Sequence, residues 1–378
     1  MYDYQNKNRY FALVAEDLKD LAQKEIETLG AEDIKPVYRG LYFNASPEVL
    51  YTINFHSRLI NRVLAPLISF KCHSDRYLYK MASQIKWEDF LTPDETLAVF
   101  ATVNHSAIRH SKFAALRVKD AIVDYFRSKT SQRPSINTLE PNLWINLYIN
   151  NNEATISLDT SGGSLHRRGY REKTVPAPMI ETLASAIIKH SNWSGEKSLY
   201  DPFCGSGTFL CEAYLQASHT PTGIFRKNFG FKKLPDFNLS LWKKVKEKGL
   251  SNIKPINLNL IKGSDISSEA TTATKHNLSK LFLKEWAIIK SNIFDLEKIK
   301  NQTIICNPPY GKRMGTNIDL NQFYKELGDF LKKKCQGSEA YIYFGNRDYI
   351  KKIGLKPSWK KPLTNGGLDG RLVKYELY

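Results

Sequence analysis

Residues 198–217 read SLYDPFCGSGTFLCEAYLQA, and this stretch decides the fold class. Ser198-Leu199-Tyr200 is a short apolar strand, and an apolar helix starts at Gly207. Between them runs the turn Asp201-Pro202-Phe203-Cys204-Gly205-Ser206-Gly207-Thr208. Open α/β sheets bind ligands at the carboxyl ends of their strands, where such turns lie. Gly205 and Gly207 let the backbone approach a ligand with no Cβ in the way. The helix amino terminus beyond them, opening at Thr208, offers free N–H groups that suit a carboxylate. Three loop types share this outline: a phosphate loop, a dinucleotide loop and a methyl-donor loop. A phosphate loop carries Gly-Lys-Ser/Thr, but Thr208-Phe209 follows Gly207. The dinucleotide fingerprint has a third glycine where Leu210 stands. A bare glycine pair is also what a structural tight turn would show.

Downstream, apolar strands at 259–265, 287–292, 303–307 and 340–346 alternate with helical patterns at 268–280 and 319–334, and a further helix at 178–190 precedes the turn. Alternation of this kind predicts a parallel sheet covered by helices on both faces. The final WKKPLTNGGLDGRLVKYELY has two strand-like arms around Asn365-Gly366-Gly367, which predicts a hairpin with an antiparallel strand at the sheet's end. Polar residues recur at one sheet edge. Asp265, followed by Ile266, ends the second strand, where a carboxylate can accept hydrogen bonds from two ribose hydroxyls. Asn292 ends the third, where an amide can pair with the edge of an adenine. Taken singly, these are also ordinary helix-cap and turn residues.

The fourth strand runs into Asn307-Pro308-Pro309-Tyr310. Two prolines fix φ at successive positions and remove two N–H donors, leaving a stiff loop that presents acceptors. Such a loop suits an exocyclic amino group. That amine is a poor nucleophile while its lone pair is delocalised into the ring. Hydrogen bonds from its two N–H groups to the Asn307 side-chain oxygen and the Pro308 carbonyl favour a pyramidal nitrogen. Tyr310 can stack on the target base. Cys204 and Cys306 invite a covalent reading, but neither sits in a cysteine-nucleophile motif, and both read as small buried residues.

Upstream, two α+β units are expected, one over residues 1–60 and one over 61–163, followed by an α/β domain over 164–378. In the first, strand-like Tyr10–Val14 and 38–43 alternate with helical patterns. In the second, strand-like 97–103, 143–149 and 153–159 accompany an amphipathic helix at 112–127. Asn150-Asn151-Asn152 reads as a hairpin turn, because asparagine tolerates positive φ.

The net charge of +17 over 378 residues implies an anionic partner, nucleic acid or membrane surface, between which charge alone does not choose. The basic excess lies in the last two thirds, with 32 Lys and Arg against 18 Asp and Glu in residues 176–378. Five scattered cysteines without a CxxC pair suggest neither a disulfide framework nor a metal site, and fit a reducing cytoplasm. With no signal-peptide pattern and no long apolar run, the chain is expected to be neither secreted nor membrane-spanning.

DPFCGSGT, GSD and NPPYG, with SLHRRGYR (164–171) ahead and YFGNRD (343–348) behind, resemble the bacterial 23S ribosomal RNA guanine-N2 methyltransferases. The resemblance covers nearly the whole chain and is strongest over 165–315. It implies a ferredoxin-like segment (1–60), a THUMP RNA-binding domain (61–163) and a class I Rossmann-like methyltransferase domain (164–378). It also implies S-adenosylmethionine held by Asp201, Phe203, Gly205, Gly207 and Thr208, ribose contacts at Asp265 beside Ile266, and target binding at Asn307, Pro308, Pro309 and Tyr310. The adenine position, often Asp in the family, is Asn292 here. Many members carry a second methyltransferase domain; the sequence reaches Tyr378 without one, so a single activity is expected.

The implied partner is ribosomal RNA, naked or in an assembly intermediate, with no metal and no membrane. Expected RNA contacts are Lys119, with Lys112, Arg117 and Arg127 on the same helix; Arg167, Arg168, Arg171 and Lys173 in the connector; and Lys312 and Arg313 after the catalytic loop. The insertion FRKNFGFKKLPDFNLSLWKKVKEK (225–248) mixes aromatic and basic residues, as expected where bases stack and phosphates are neutralised, or where aromatics pack onto the catalytic domain. The competing readings are an adenine-N6 or cytosine-N4 amino-methyltransferase, and an RNA-binding assembly protein without catalysis.

Overall fold

The computed structural model describes residues 1–378 apart from 177, 282–285 and 311–318. Two compact units emerge: residues 1–165 with 226–248, and residues 166–225 with 249–378.

The first unit is built on one eight-stranded sheet. Its strands are β1 (Arg9–Leu13), β2 (Glu32–Val37), β3 (Gly40–Asn44), β4 (Arg62–Lys71), β5 (Thr96–Asn104), β6 (Ser135–Ile136), β7 (Leu143–Asn150) and β8 (Glu153–Asp159). They lie in the order β2-β3-β1-β4-β8-β7-β5-β6. β4 has no counterpart in the sequence reading, yet it pairs with β1 on one side and β8 on the other, joining the two α+β segments. Pro66 hides it: a residue without an N–H reads as a break in a central strand, and here it sits at a register shift between Pro66 and Ile68. The β7–β8 turn does hold Asn151 and Asn152 at positive φ, 51° and 59°.

The segment 226–248 belongs to this unit and not to the catalytic sheet. Phe229, Phe231 and Trp242 are buried. The Phe231 ring stacks on Tyr51 at 4.5 Å, and Trp242 meets Phe55 edge-on at 5.3 Å. Polar ties complete the attachment: Tyr51 Oη accepts from the Asn238 N–H at 3.0 Å, and Tyr4 donates to Asp236 at 2.8 Å. Burial leaves Phe229, Phe231 and Trp242 no free face for bases; enclosing large apolar rings in the first unit is their role.

The second unit carries β9 (Leu199–Asp201), β10 (Ile261–Asp265), β11 (Ala287–Lys290), β12 (Thr303–Cys306), β13 (Glu339–Phe344), β14 (Trp359–Asn365) and β15 (Leu368–Glu376). Their order is β11-β10-β9-β12-β13-β15-β14, parallel from β11 to β13, with β15 antiparallel to β13 and β14 antiparallel to β15. Helices Glu181–Ser191, Thr208–Ala217, Ser268–Ser279 and Leu320–Lys334 connect the strands within about three residues of the positions expected from periodicity. β9 has β10 on one side and β12 on the other, so the chain reverses its direction of winding there. That reversal opens a crevice at the strands' carboxyl ends, the place where this architecture binds ligands.

Candidate active site

A cavity of about 1340 Å³ occupies that crevice. Its walls include Asp201–Ser206 after β9, Asp265–Ser267 after β10, Ser291–Phe294 after β11 and Asn307–Tyr310 after β12. Pockets for one small ligand typically enclose roughly 300–1,000 Å³, so this one has room for a nucleoside-sized donor and a base together.

The glycine loop has the expected geometry. Gly205 and Gly207 hold φ of +55° and +80°, and a Cβ on Gly207 would meet Thr274 Cγ2 at 3.0 Å. Asp265 braces the loop from the next strand: one carboxylate oxygen accepts the Gly205 N–H and the other the Ser267 N–H, each at 3.0 Å. Asp201 is 1% exposed and accepts the Phe203 N–H at 3.0 Å. Burial pushes its carboxyl well above the usual carboxylate range. Asp201 thus shapes the turn from beneath. Ile266 is 66% exposed at the cavity wall, a large apolar side chain available to a ligand's flat face. Asn292 accepts the Phe294 N–H at 3.2 Å, so its carbonyl oxygen caps a turn while the residue lines the cavity.

At the catalytic loop, Asn307 Oδ1 is buried and has no hydrogen-bond partner among the described residues. A buried acceptor left unmet costs about 1–3 kcal/mol, and Asn307 lines the cavity, where a ligand's donor can meet it. The Pro309 carbonyl is already taken by the Tyr324 hydroxyl at 3.1 Å. Tyr310 meets Tyr343 edge-on at 6.4 Å and packs against Gly345 so closely that a Cβ there would lie 2.2 Å from the ring. Burial raises the thiols of Cys204 and Cys306 above their ordinary range, which disfavours the thiolate that a covalent mechanism requires.

Two connector arginines correct the sequence reading. Arg168 is fully buried in an ion pair with Glu212, Nε to Oε1 3.3 Å, where Tyr170 donates to the same oxygen at 2.9 Å and Ser185 to the other. A side chain enclosed in this way has no surface to offer RNA. Arg171 donates to the Met179 carbonyl at 2.7 Å and to Thr208 Oγ1 at 2.8 Å, and pairs with Glu181 at 3.4 Å. It ties the connector to the start of the helix behind the glycine loop, where the Thr208 hydroxyl oxygen accepts. Arg167 is exposed. Lys119 pairs with Asp120 at 2.5 Å. Lys312 and Arg313 lie outside the described residues.

Periodicity and motifs missed several lining residues. Phe323 packs against Phe294 and against the expected Phe203, with ring centroids 5.8 and 5.9 Å apart, and Gln322, Glu326 and the β14–β15 turn at 365–368 also face the cavity. The turn is expected as a hairpin, but no local signal marks it, Phe294, Phe323, Gln322 or Glu326 as lining a ligand site. Among the described residues there is no metal-ligating cluster, and no helix is long and apolar enough to cross a membrane.

Three family models match consecutive stretches of the chain: the RlmL ferredoxin-like domain at residues 9–64, the THUMP domain at 73–159 and the RMKL-like methyltransferase domain at 168–374. A Synechocystis protein named as a candidate RNA methyltransferase is 41% identical over 98% of this chain and 97% of its own length. The Cellvibrio japonicus ribosomal RNA large subunit methyltransferase K/L is 34% identical over 98% of this chain but 51% of its own length. The chain thus spans about half the length of the K/L relatives. A Clostridium difficile 630 protein described as a possible methylase superposes with TM-score 0.83 at 26% identity over 98% of both chains. The fold alone is shared with SMU.472, a candidate methyltransferase crystallised with SAH, at TM-score 0.84 and 24% identity over 98% of both chains. With its glycine loop, bracing Asp265 and Asn307 loop at one crevice, the chain belongs to the RMKL-like methyltransferase family, with ferredoxin-like and THUMP domains ahead of the catalytic domain.

Proposed function

We propose that the chain methylates the exocyclic N2 amino group of a guanine in 23S ribosomal RNA, using S-adenosylmethionine, in the cytoplasm. The observation that carries this reading is the buried Asn307 Oδ1, an acceptor without a partner among the described residues, at a cavity large enough for two ligands. S-adenosylmethionine supplies an electrophilic methyl group on a sulfonium. The backbone around Gly205 and Gly207 and the helix start at Thr208 receive its amino-acid end, Asp265 takes the ribose hydroxyls, and Ile266 and Asn292 take the adenine. Asn307 Oδ1 and the Pro308 carbonyl accept the two N–H groups of the target amine, and Tyr310 stacks on its base. Catalysis is orientation together with stabilisation of developing positive charge on nitrogen. The proton leaves to solvent after transfer.

Ribosomal RNA, naked or in an assembly intermediate, is chosen because the K/L relatives act on the large subunit by name. Guanine N2 is chosen on the resemblance, since an Asn-Pro-Pro-Tyr loop serves any exocyclic amine. In this reading residues 1–60 and 61–163 hold the RNA, and 164–378, less the 226–248 segment, carry the chemistry. Tritium-methyl transfer to ribosomal RNA from a strain lacking the protein, followed by nucleoside mass spectrometry, tests it. N2-methylguanosine in large-subunit RNA is expected. Methylation of duplex DNA, or donor binding without transfer to any RNA, would overturn it.

A further inference from the structure

Residues 1–165 carry 19 Lys and Arg against 19 Asp and Glu, so the main body of the first unit has no net charge. The segment 226–248, which packs into that unit, carries 8 against 2. All of the unit's net positive charge therefore comes from this one segment. Binding to a phosphate backbone draws most of its free energy from counterion release by cationic side chains, and the body alone is poorly equipped for it.

The local geometry sharpens this contrast. On the body's own basic helix, Ser111–Thr130, four of the five cations are engaged: Arg117 with Asp75 at 3.4 Å, Lys119 with Asp120 at 2.5 Å, Arg127 with Asp124 at 3.5 Å and Lys129 with Glu88 at 2.7 Å, while Lys112 is exposed with no ion pair among the described residues. The helix Leu239–Ser251 differs. Trp242, Val245 and Gly249 are buried at helical spacing. Lys243, Lys244 and Lys246 are exposed, and none has an ion-pair partner among the described residues. Positive charge is crowded nearby, since the Lys232 ammonium is lowered by burial and then by the charge on Lys246.

We propose that the lysine face of the Leu239–Ser251 helix is the surface through which the first unit binds RNA phosphates. This rests on the reading of the chain as an RNA methyltransferase. Because the aromatics of the segment face inward, the surface reads charge and not bases, and binding through it is independent of sequence.

The test uses the full chain with Lys243, Lys244 and Lys246 changed to Gln, against a control with the exposed Lys24, Lys35 and Lys86 changed to Gln. A fluorescent RNA hairpin is titrated by anisotropy between about 50 and 200 mM salt. The proposal expects the first variant to lose at least about tenfold in affinity at the low end, with the salt slope reduced by about 2–3, one for each phosphate contact. The control should stay within about twofold. Thermal midpoints check that both variants are folded. Equal losses in both variants, or none in the first, would overturn the proposal. So would loss of binding to phosphatidylglycerol vesicles with RNA binding intact, which would assign the face to lipid. If the wild-type chain methylates no RNA, the functional reading fails instead; if it methylates RNA while the lysine variant binds as before, only this proposal fails.

Discussion

The Tyr324 hydroxyl donates to the Pro309 carbonyl at 3.1 Å, so the oxygens of the Asn307–Tyr310 loop are not equivalent. Pro309 is committed to the protein, while Asn307 Oδ1 is buried and has no partner among the described residues. Burial raises the Tyr324 phenol above its ordinary range, so it remains a donor at working pH. Tyr324→Phe removes a hydrogen bond worth ~1 kcal/mol. We expect kcat to fall about fivefold with donor affinity unchanged, as read by methyl transfer and calorimetry. A matching loss of donor affinity would show that Tyr324 supports the cofactor end instead.

Asn307→Ala removes a buried acceptor that lines the cavity and has no protein partner among the described residues. Loss of a preorganised group aimed at developing charge costs about 100- to 1,000-fold in kcat, and that fall is expected here. Donor binding should change by less than about twofold if, as proposed, the amide addresses the target and not the cofactor. Equal loss of binding and transfer would contradict the assignment.

Gly345→Ala should damage catalysis through Tyr310. A Cβ at 345 would sit 2.2–2.4 Å from three atoms of the Tyr310 ring, and the ring must move to admit it. Reduced kcat/KM for RNA is expected. Because both changes displace one ring, Tyr310→Ala should add little to Gly345→Ala in a double-mutant cycle; fully additive losses would show that the two act separately.

Arg168→Ala should act on stability and not on RNA affinity. It strands the buried Glu212 carboxylate, and breaking a buried pair in this way costs about 3–5 kcal/mol. Denaturant unfolding reads the loss. Arg168→Ala that unfolds like wild type but binds RNA weakly would restore the arginine to the RNA surface.

His56 gives a pH signature. Burial, and then the charges of Arg58 and Lys248, lower its pKa from the usual 6.5 to about 4. Between those values the unfolded chain binds a proton that the folded chain does not, so stability is full above pH 6.5 and falls as pH drops towards 4. Thermal midpoints measured across that window should fall less steeply in His56→Gln. An unchanged slope would remove His56 as the cause.

The catalytic half was legible because its signals are local. A turn bearing Gly205 and Gly207, an acid ending one strand and Asn307 ending another are each written within a few residues, and strand-helix alternation puts them on one sheet edge. Arg168 shows where locality fails. Arg167 and Arg168 are adjacent and chemically identical, but one is exposed and the other is enclosed around Glu212, 44 residues away.

By itself the sequence determined the parallel sheet, its antiparallel end and the residues gathered at its carboxyl edge, since period and turn chemistry are short-range properties. Only the tertiary structure decided that β4 welds the front segments into one sheet despite Pro66. It alone decided that Phe229, Phe231 and Trp242 bury themselves in the first unit, and that Asn307 Oδ1 lacks a partner among the described residues. The physical reason is common to all three. Strand pairing, ring burial and hydrogen-bond satisfaction depend on which distant residue arrives, and no local pattern encodes that arrival.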